Sequence, residues 1–144
     1  MFRCQSCGAQ NKVRLGHLGS PICGRCKATL DVSGTPQDVK GTELVRAIGA
    51  ATVPVLVDFW APWCAPCRTA SPILDQFAKS HPGILIALKL NTEQESESAG
   101  TYGIQGIPTF ILFYKGHPVD RRSGAMPKDA FSAWVLDAMA KSVG

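Results

Sequence analysis

Six cysteines are the residues of this 144-residue chain whose spacing most directly indicates chemistry. They form three Cys-x-x-Cys pairs, which are Cys4 with Cys7, Cys23 with Cys26, and Cys64 with Cys67. Two intervening residues suit either a short disulfide ring or two thiolate ligands of one metal ion. The sequence around each pair indicates which use applies.

The first two pairs lie within 30 residues that show no sustained hydrophobic periodicity and cannot bury a conventional core. Fifteen residues separate Cys7 from Cys23, a spacing that brings four thiolates around one zinc ion. Gly8 and Gly24 adjoin the cysteines and permit tight turns. We predict a zinc site in place of a packed core, with the ligands Cys4, Cys7, Cys23 and Cys26. Another metal, or disulfides among these cysteines, is the alternative.

The third pair follows a nearly unbroken apolar run at residues 53–60 and opens a segment of helical periodicity at residues 66–80. A helix N-terminus offers unpaired N–H groups and a partial positive charge, and both stabilise a thiolate. We therefore predict that Cys64 attacks disulfides and that Cys67 resolves the mixed disulfide by attacking Cys64. A structural role or metal ligation is the alternative, but a lone pair lacks the four ligands of structural zinc.

The elements that position these residues follow from alternating apolar runs and amphipathic segments. We predict strands at 37–40, 53–60, 84–90, 109–115 and 119–122. We also predict a helix that begins with Thr42 as its cap, and further helices at 66–80, 93–102 and 127–140. The order indicates an α/β fold: a mixed sheet with a parallel part and a closing antiparallel hairpin, flanked by helices. Turn-forming residues at 31–36 divide the chain into a module of residues 1–34 and a domain of residues 35–144.

Asp58 interrupts the apolar run before the third cysteine pair. A carboxylate is expensive to bury, and burial would raise its pKa. A solvent-facing aspartate at an alternating strand position is the alternative. The residue types thus predict a buried carboxyl group near the Cys64–Cys67 pair.

Residues 57–68, Val-Asp-Phe-Trp-Ala-Pro-Trp-Cys-Ala-Pro-Cys-Arg, resemble the active-site signature of thioredoxins. The resemblance spans residues 37–144 and continues through Pro72-Ile73-Leu74, Lys89-Leu90-Asn91, Tyr102-Gly103-Ile104, Gly106-Ile107-Pro108-Thr109 and Ser123-Gly124-Ala125. It implies a thioredoxin fold and a protein-disulfide reductase with no cofactor in the redox site, recharged by an NADPH-dependent thioredoxin reductase. With the amino-terminal zinc ribbon, the whole chain resembles the zinc-containing thioredoxin-2 class of bacterial thioredoxins.

The resemblance also implies site residues. Asp58 would accept the proton of Cys67, and Lys89 would tune that aspartate, although an ordinary exposed lysine is an equal alternative. Pro108 would be cis, against the usual preference for trans, and the backbone of the preceding residue would pair with an extended substrate. The docking surface would consist of Trp63, Ile107, Pro108, Gly124 and Ala125. Ala65 stands where the family usually has glycine, and we expect a modest change of redox potential from it.

Charge and hydropathy limit the classes of partner and the location that we expect. The net charge is +4, with five basic residues and no acidic residue in the first 30, but four zinc-bound thiolates would lower this excess to about three. Nucleic acid is therefore not an expected partner, and disulfide-containing proteins are the expected targets. With no apolar run for a membrane helix or a secretory signal, we expect a cytoplasmic protein. A disulfide oxidant or isomerase, or a zinc-ribbon binding protein with a passenger redox domain, is the alternative.

Overall fold

The computed structural model describes residues 2–4, 7–11, 24–27 and 35–143. The predicted zinc ligand Cys23 and the predicted domain boundary at residue 34 lie outside these residues. In the amino-terminal segment, strands β1 (Phe2–Arg3) and β2 (Gln10–Asn11) form an antiparallel pair.

The main unit is a five-stranded sheet in the order β3-β5-β4-β6-β7. Its strands are β3 (Gln37–Asp38), β4 (Val55–Trp60), β5 (Ile86–Asn91), β6 (Thr109–Tyr114) and β7 (His117–Ser123). The first three strands run parallel to one another, whereas β6 is antiparallel to β4 and to β7. The predicted mixed sheet with a closing antiparallel hairpin is confirmed.

Helices α1 (Gly41–Ala50), α2 (Ala65–Ser80), α3 (Ser96–Thr101) and α4 (Lys128–Val143) flank the sheet. Because side chains alternate along a strand, β4 sends Val55, Val57 and Phe59 into a core with α1, and Leu56 into a core with α2 and α4. Asp58 lies on the Leu56 face and therefore faces α2. Among the described helices, none has the length and apolar character that crossing a bilayer requires.

The start of α1 differs from the prediction. Lys40, not Thr42, is the N-cap residue, and its N–H donates to the Glu43 carboxylate over 3.0 Å. The N–H of Gly41 donates to Glu95 over 2.8 Å. Carboxylates from the first turn and from a neighbouring segment thus bind free N–H groups at the start of α1. Val45 is 61% exposed because it points away from the buried side of the helix.

Several other boundaries also shift, and two of the shifts have a visible cause. The helix predicted from residue 93 begins at Ser96, because the Asn91 side chain accepts the N–H groups of Glu93 and Gln94, at 3.0 and 3.4 Å, and forms a turn there. Strand β7 begins at residue 117 rather than 119, since Lys115 and Gly116 both take positive φ and form a tight hairpin turn.

Candidate redox site

The Cys64–Cys67 pair lies at the junction of β4 and α2, as predicted, with Cys64 just before α2 and Cys67 in its first turn. The two residues form a disulfide with their Cα atoms 5.3 Å apart, and each is 3% exposed. Cys64 is the N-cap residue of α2, and the backbone N–H of Cys67 donates to Cys64 Sγ over 3.2 Å. The same donor and the helix dipole would stabilise a Cys64 thiolate once the disulfide is reduced.

Pro66 occupies the first turn of α2, where a missing N–H removes no helical hydrogen bond. The other free N–H groups of this turn therefore remain available to groups near Cys64. Pro72 lies inside the same helix, and the helix continues to Ser80.

Ile107 and Pro108 face the disulfide from the loop before β6. Their peptide bond is cis, as the family resemblance implied. The carbonyl oxygen of Ile107 lies 3.7 Å from Cys64 Sγ. The N–H of Gly124 donates to the Pro108 carbonyl over 2.8 Å, so the segment after β7 joins the same surface. These contacts bring the predicted docking residues together beside Cys64.

Trp63 adds the apolar part of this surface. The residue directly precedes Cys64 and is 66% exposed, although tryptophan is usually at least partly buried. Ala125, after Gly124, is also exposed. An exposed aromatic ring next to a reactive sulfur is suited to contact with a protein substrate.

Thr109 was not identified from the sequence. It is 2% exposed, and its hydroxyl donates to the Gly106 carbonyl over 2.5 Å and lies 3.1 Å from the Ser123 hydroxyl. These bonds join the loop that contains Pro108 to the end of β7. The sequence signal that could have identified Thr109 is a threonine at the start of an otherwise apolar strand.

Asp58 is 1% exposed, so the predicted burial is confirmed. Neither carboxyl oxygen has a hydrogen-bond partner within the part of the chain that the structure describes. Burial raises the pKa of Asp58 to about 7; Lys89 opposes this rise, while Asp75 and Asp38 add to it. The carboxyl group can therefore gain or lose a proton near neutral pH.

A cavity of about 290 Å³ connects this carboxyl group with the redox pair. Its lining includes Asp58, Cys67, Ser71 and Lys89. At its edge, Arg68 Nη2 donates to the Pro62 carbonyl over 2.9 Å. Since a water molecule occupies about 30 Å³ in the liquid, this space admits several, and a proton can pass between Asp58 and Cys67 through them.

Lys89 lies beside Asp58 on the neighbouring parallel strand, as the register partner of that residue. Its Nζ donates to Ser71 Oγ over 2.6 Å and lies 5.7 Å from the centroid of the Trp60 ring. The side chain is half-buried at the cavity rather than fully exposed.

The sequence profile of the Thioredoxin family matches residues 35–137. The chain belongs to the thioredoxin family. It is 40% identical over 102 residues to the thioredoxin of Synechocystis sp., covering 71% of this chain and 94% of that protein. It is 48% identical over 80 residues to thioredoxin 1 of Nostoc sp., covering 56% and 75% respectively. A mutant thioredoxin from Halobacterium salinarum has a similar structure, with a TM-score of 0.67, 28% identity, and coverage of 76% of this chain and 95% of that one.

As a member of the thioredoxin family with a Cys64–Cys67 disulfide, the chain is a thiol–disulfide oxidoreductase. Thioredoxins act on other proteins, so disulfide-containing proteins are its class of target.

A cysteine cluster in this thioredoxin-family chain lies in the amino-terminal segment. The sulfur atoms of Cys4, Cys7 and Cys26 all lie within 4.8 Å of one another, and those of Cys4 and Cys26 are 3.5 Å apart. Thiolates around a tetrahedral zinc ion, each about 2.3 Å from the metal, lie about 3.8 Å apart. Three of the four predicted ligands thus have a spacing that fits a metal ion.

In both Cys-x-x-Cys pairs of the cluster, the residue directly after the second cysteine adopts the left-handed backbone conformation. Gly8 has a φ of 81°, and its N–H donates to the Cys4 carbonyl over 2.9 Å. After Cys26 the corresponding residue is Lys27, with a φ of 66°. Gly8 was predicted to permit a tight turn; Lys27 was missed because a non-glycine residue rarely adopts this conformation.

Arg3, also missed from the sequence, joins the cluster to the thioredoxin domain. Its side chain is 7% exposed and donates to Gln37 over 2.8 Å and to Glu43 over 2.5 Å. Gln37 in turn donates to the Arg3 carbonyl over 3.3 Å. The residue next to Cys4 therefore binds both β3 and α1.

Proposed function

We propose that the chain is a general reductant of protein disulfides, with Cys64 as the nucleophile and Cys67 as the resolving thiol. The observation that best supports this assignment is the N-cap position of Cys64, whose sulfur accepts the N–H of Cys67 over 3.2 Å. Cys67 lies inside the first turn of α2, in the lining of the cavity that also contains Asp58, as a resolving thiol with a nearby base should.

The first step is attack of the Cys64 thiolate on one sulfur of a target disulfide. A bond forms between Cys64 and that sulfur, the target S–S bond breaks, and its electron pair leaves on the second target sulfur as a thiolate. In this mixed disulfide the target backbone lies along Ile107, whose carbonyl oxygen is 3.7 Å from Cys64 Sγ.

In the second step, Cys67 gives its proton to the Asp58 carboxylate through the cavity. The resulting thiolate attacks Cys64, the Cys64–Cys67 disulfide forms, and the remaining target sulfur leaves as a thiolate that takes up a proton. The raised pKa of Asp58, about 7, supports this role, because a base works best when its pKa is near the working pH. The target thiolate released in the first step also takes up a proton from water, and Asp58 returns its proton to water. The target thus gains two electrons and two protons.

Insulin reduction tests this function with two matched serine variants. We expect Cys64→Ser to be inactive and unable to form a mixed disulfide with a chromogenic disulfide reagent. Cys67→Ser should also fail to turn over but should accumulate a stable mixed disulfide at Cys64. Retained turnover in Cys64→Ser would exclude the assignment, whereas an inactive parent protein would favour a binding protein whose redox domain is a passenger.

We also propose recharging by an NADPH-dependent thioredoxin reductase and a reducing compartment such as the cytoplasm, because a reductase needs a supply of electrons. NADPH consumption with a thioredoxin reductase and insulin would support this role. Failure of that assay, with efficient oxidation of a reduced peptide instead, would favour a disulfide oxidant or isomerase.

For the amino-terminal segment we propose a zinc ribbon of residues 1–34, preceding a thioredoxin domain of residues 35–144, as in the zinc-containing thioredoxin-2 class. Cys4, Cys7, Cys23 and Cys26 would hold the ion, and the thiol spacing of Cys4, Cys7 and Cys26 supports this set. When bound, zinc would cross-link a segment too small to bury a core. Native mass spectrometry should find one zinc per chain, and loss of zinc in Cys26→Ser but not in Cys67→Ser would identify the site.

A further inference from the structure

Ser71 lies in the wall of the cavity that contains Asp58, Cys67 and Lys89. It is four residues beyond Cys67 on α2, so both side chains project from the same face of the helix. Its hydroxyl oxygen accepts a hydrogen bond of 2.6 Å from Lys89 Nζ. A hydroxyl group on the helix that contains the redox pair therefore binds a cation from the sheet beneath.

The position of that cation is unexpected for a lysine next to a carboxylate. Asp58 and Lys89 are register partners on adjacent parallel strands. No hydrogen bond or ion pair joins them among the described residues, and both oxygens of Asp58 remain without a partner there. The ammonium group instead lies between the Ser71 hydroxyl and the Trp60 ring, 5.7 Å from the ring centroid. Its electrostatic field reaches Asp58 without direct contact.

The other charged groups near Asp58 do not substitute for the Lys89 ammonium. The elements packed around the carboxyl group contribute Lys89 from β5, Asp38 from β3, and Asp75 and Arg68 from α2, while β6 places the apolar Phe110 opposite it. The two aspartates raise the pKa of Asp58 and Lys89 lowers it. The guanidinium of Arg68 is bound to the Pro62 carbonyl. The Lys89 ammonium is thus the main group that lowers the pKa of Asp58, and its distance from the carboxyl group decides by how much.

We propose that Ser71 is a positioning residue of the redox site: its hydroxyl holds the Lys89 ammonium away from the Asp58 carboxyl group, which stays able to exchange a proton with Cys67. This inference rests on the proposed role of Asp58. If the ammonium contacted the carboxylate directly, the ion pair would lower the pKa of Asp58 by about 1 to 3 units, and the carboxylate would be a weaker base.

The test is a ¹³C NMR titration of the Asp58 carboxyl group in the reduced full-length protein. In Ser71→Ala the ammonium loses its acceptor and turns to the carboxylate, so the Asp58 midpoint should fall by about one pH unit or more. Ser71→Thr keeps the hydroxyl and should keep the parent midpoint. Alanine favours the helix, so the variant should fold. A midpoint that stays in place or rises in Ser71→Ala would overturn the proposal.

A second comparison separates action through Lys89 from direct action on Asp58. In a Lys89→Met background, Ser71→Ala should leave the Asp58 midpoint unchanged, because the ammonium is already absent. An equal shift in both backgrounds would mean that Ser71 acts on Asp58 directly, contrary to the proposal. Insulin reduction by the Ser71→Ala protein and by Cys64→Ser is assayed separately. Activity in Cys64→Ser would refute the proposed function. An unchanged Asp58 midpoint in an active Ser71→Ala protein would refute this inference alone.

Discussion

Asp58 and Lys89 are adjacent across two parallel strands, yet the lysine donates its 2.6 Å hydrogen bond to Ser71 and leaves the carboxyl group without a partner among the described residues. A buried carboxyl group without an ion pair favours its neutral form. The pKa of about 7 that results is suited to proton exchange, but it also affects folding stability.

The pH dependence of stability should therefore change in Asp58→Asn. The folded-state pKa of Asp58 is raised from 3.8 to about 7, so the folded state holds this proton more tightly than the unfolded state. Its stabilising contribution is complete below about pH 4 and is lost as pH rises to about 7, a change of at most about 4 kcal/mol. Asp58→Asn should remove this loss.

Urea unfolding of the oxidised protein between pH 4.5 and 8.5 measures the effect without titration of the redox thiols. The exposed Asp137→Asn is the matched control and should follow the parent curve. Equal pH slopes for Asp58→Asn and the parent would contradict the raised pKa of the buried carboxyl group.

The sequence revealed Asp58 and the cysteine pairs because they contrast with their surroundings. A carboxylate within an apolar strand and thiols at a strand-to-helix junction are local patterns. Ser71, Thr109 and Arg3 are different: their roles depend on partners 18, 14 and 40 residues away in the chain. Which polar side chain meets which partner is decided by tertiary packing, and periodicity does not contain that information.

The helix boundaries that differed have the same explanation. Thr42 is a good capping residue by type, but Glu43 and Glu95 bind the N–H groups at the start of α1, and the second of these comes from a distant segment. Val45 is apolar but lies outside the buried stripe of Leu44 and Ile48. Residue type predicted the element, and tertiary contacts decided its first residue and its buried face.

Arg3→Ala should weaken the proposed zinc binding by the amino-terminal cysteines. Arg3 adjoins Cys4 and binds Gln37 and Glu43 with a nearly buried guanidinium, so docking of this residue and ordering of the cluster should stabilise each other. We expect zinc affinity to fall about 5-fold or more, as measured by competition with a chromogenic chelator. Lys141→Ala, which removes an exposed ion pair with Asp137, should change nothing. Equal affinity in Arg3→Ala would show that the two parts are uncoupled.

Thr109→Val should loosen the docking loop without changing the sulfur chemistry. The substitution keeps the shape of a buried side chain and removes the hydroxyl that binds the Gly106 carbonyl, at a cost of about 1 to 3 kcal/mol in unfolding free energy. KM for insulin should rise, while the rate with a small chromogenic disulfide stays close to that of the parent. Thr101→Val, which removes an exposed helical hydroxyl bound to Glu97, is the control. A similar loss with both substrates would indicate a general disturbance of the redox pair.

Trp63→Ala should affect protein substrates and leave folding nearly intact. The ring is 66% exposed, so its removal should change the unfolding free energy by no more than about 0.5 kcal/mol. If the ring contacts the target beside Cys64, its loss should lower kcat/KM for insulin about 5- to 30-fold, which corresponds to about 1 to 2 kcal/mol of contact energy. Leu136→Ala, at a 45% exposed position on α4, controls for loss of any exposed apolar side chain. Equal kcat/KM values for the two variants would remove Trp63 from the docking surface and leave the backbone around Ile107 as its main component.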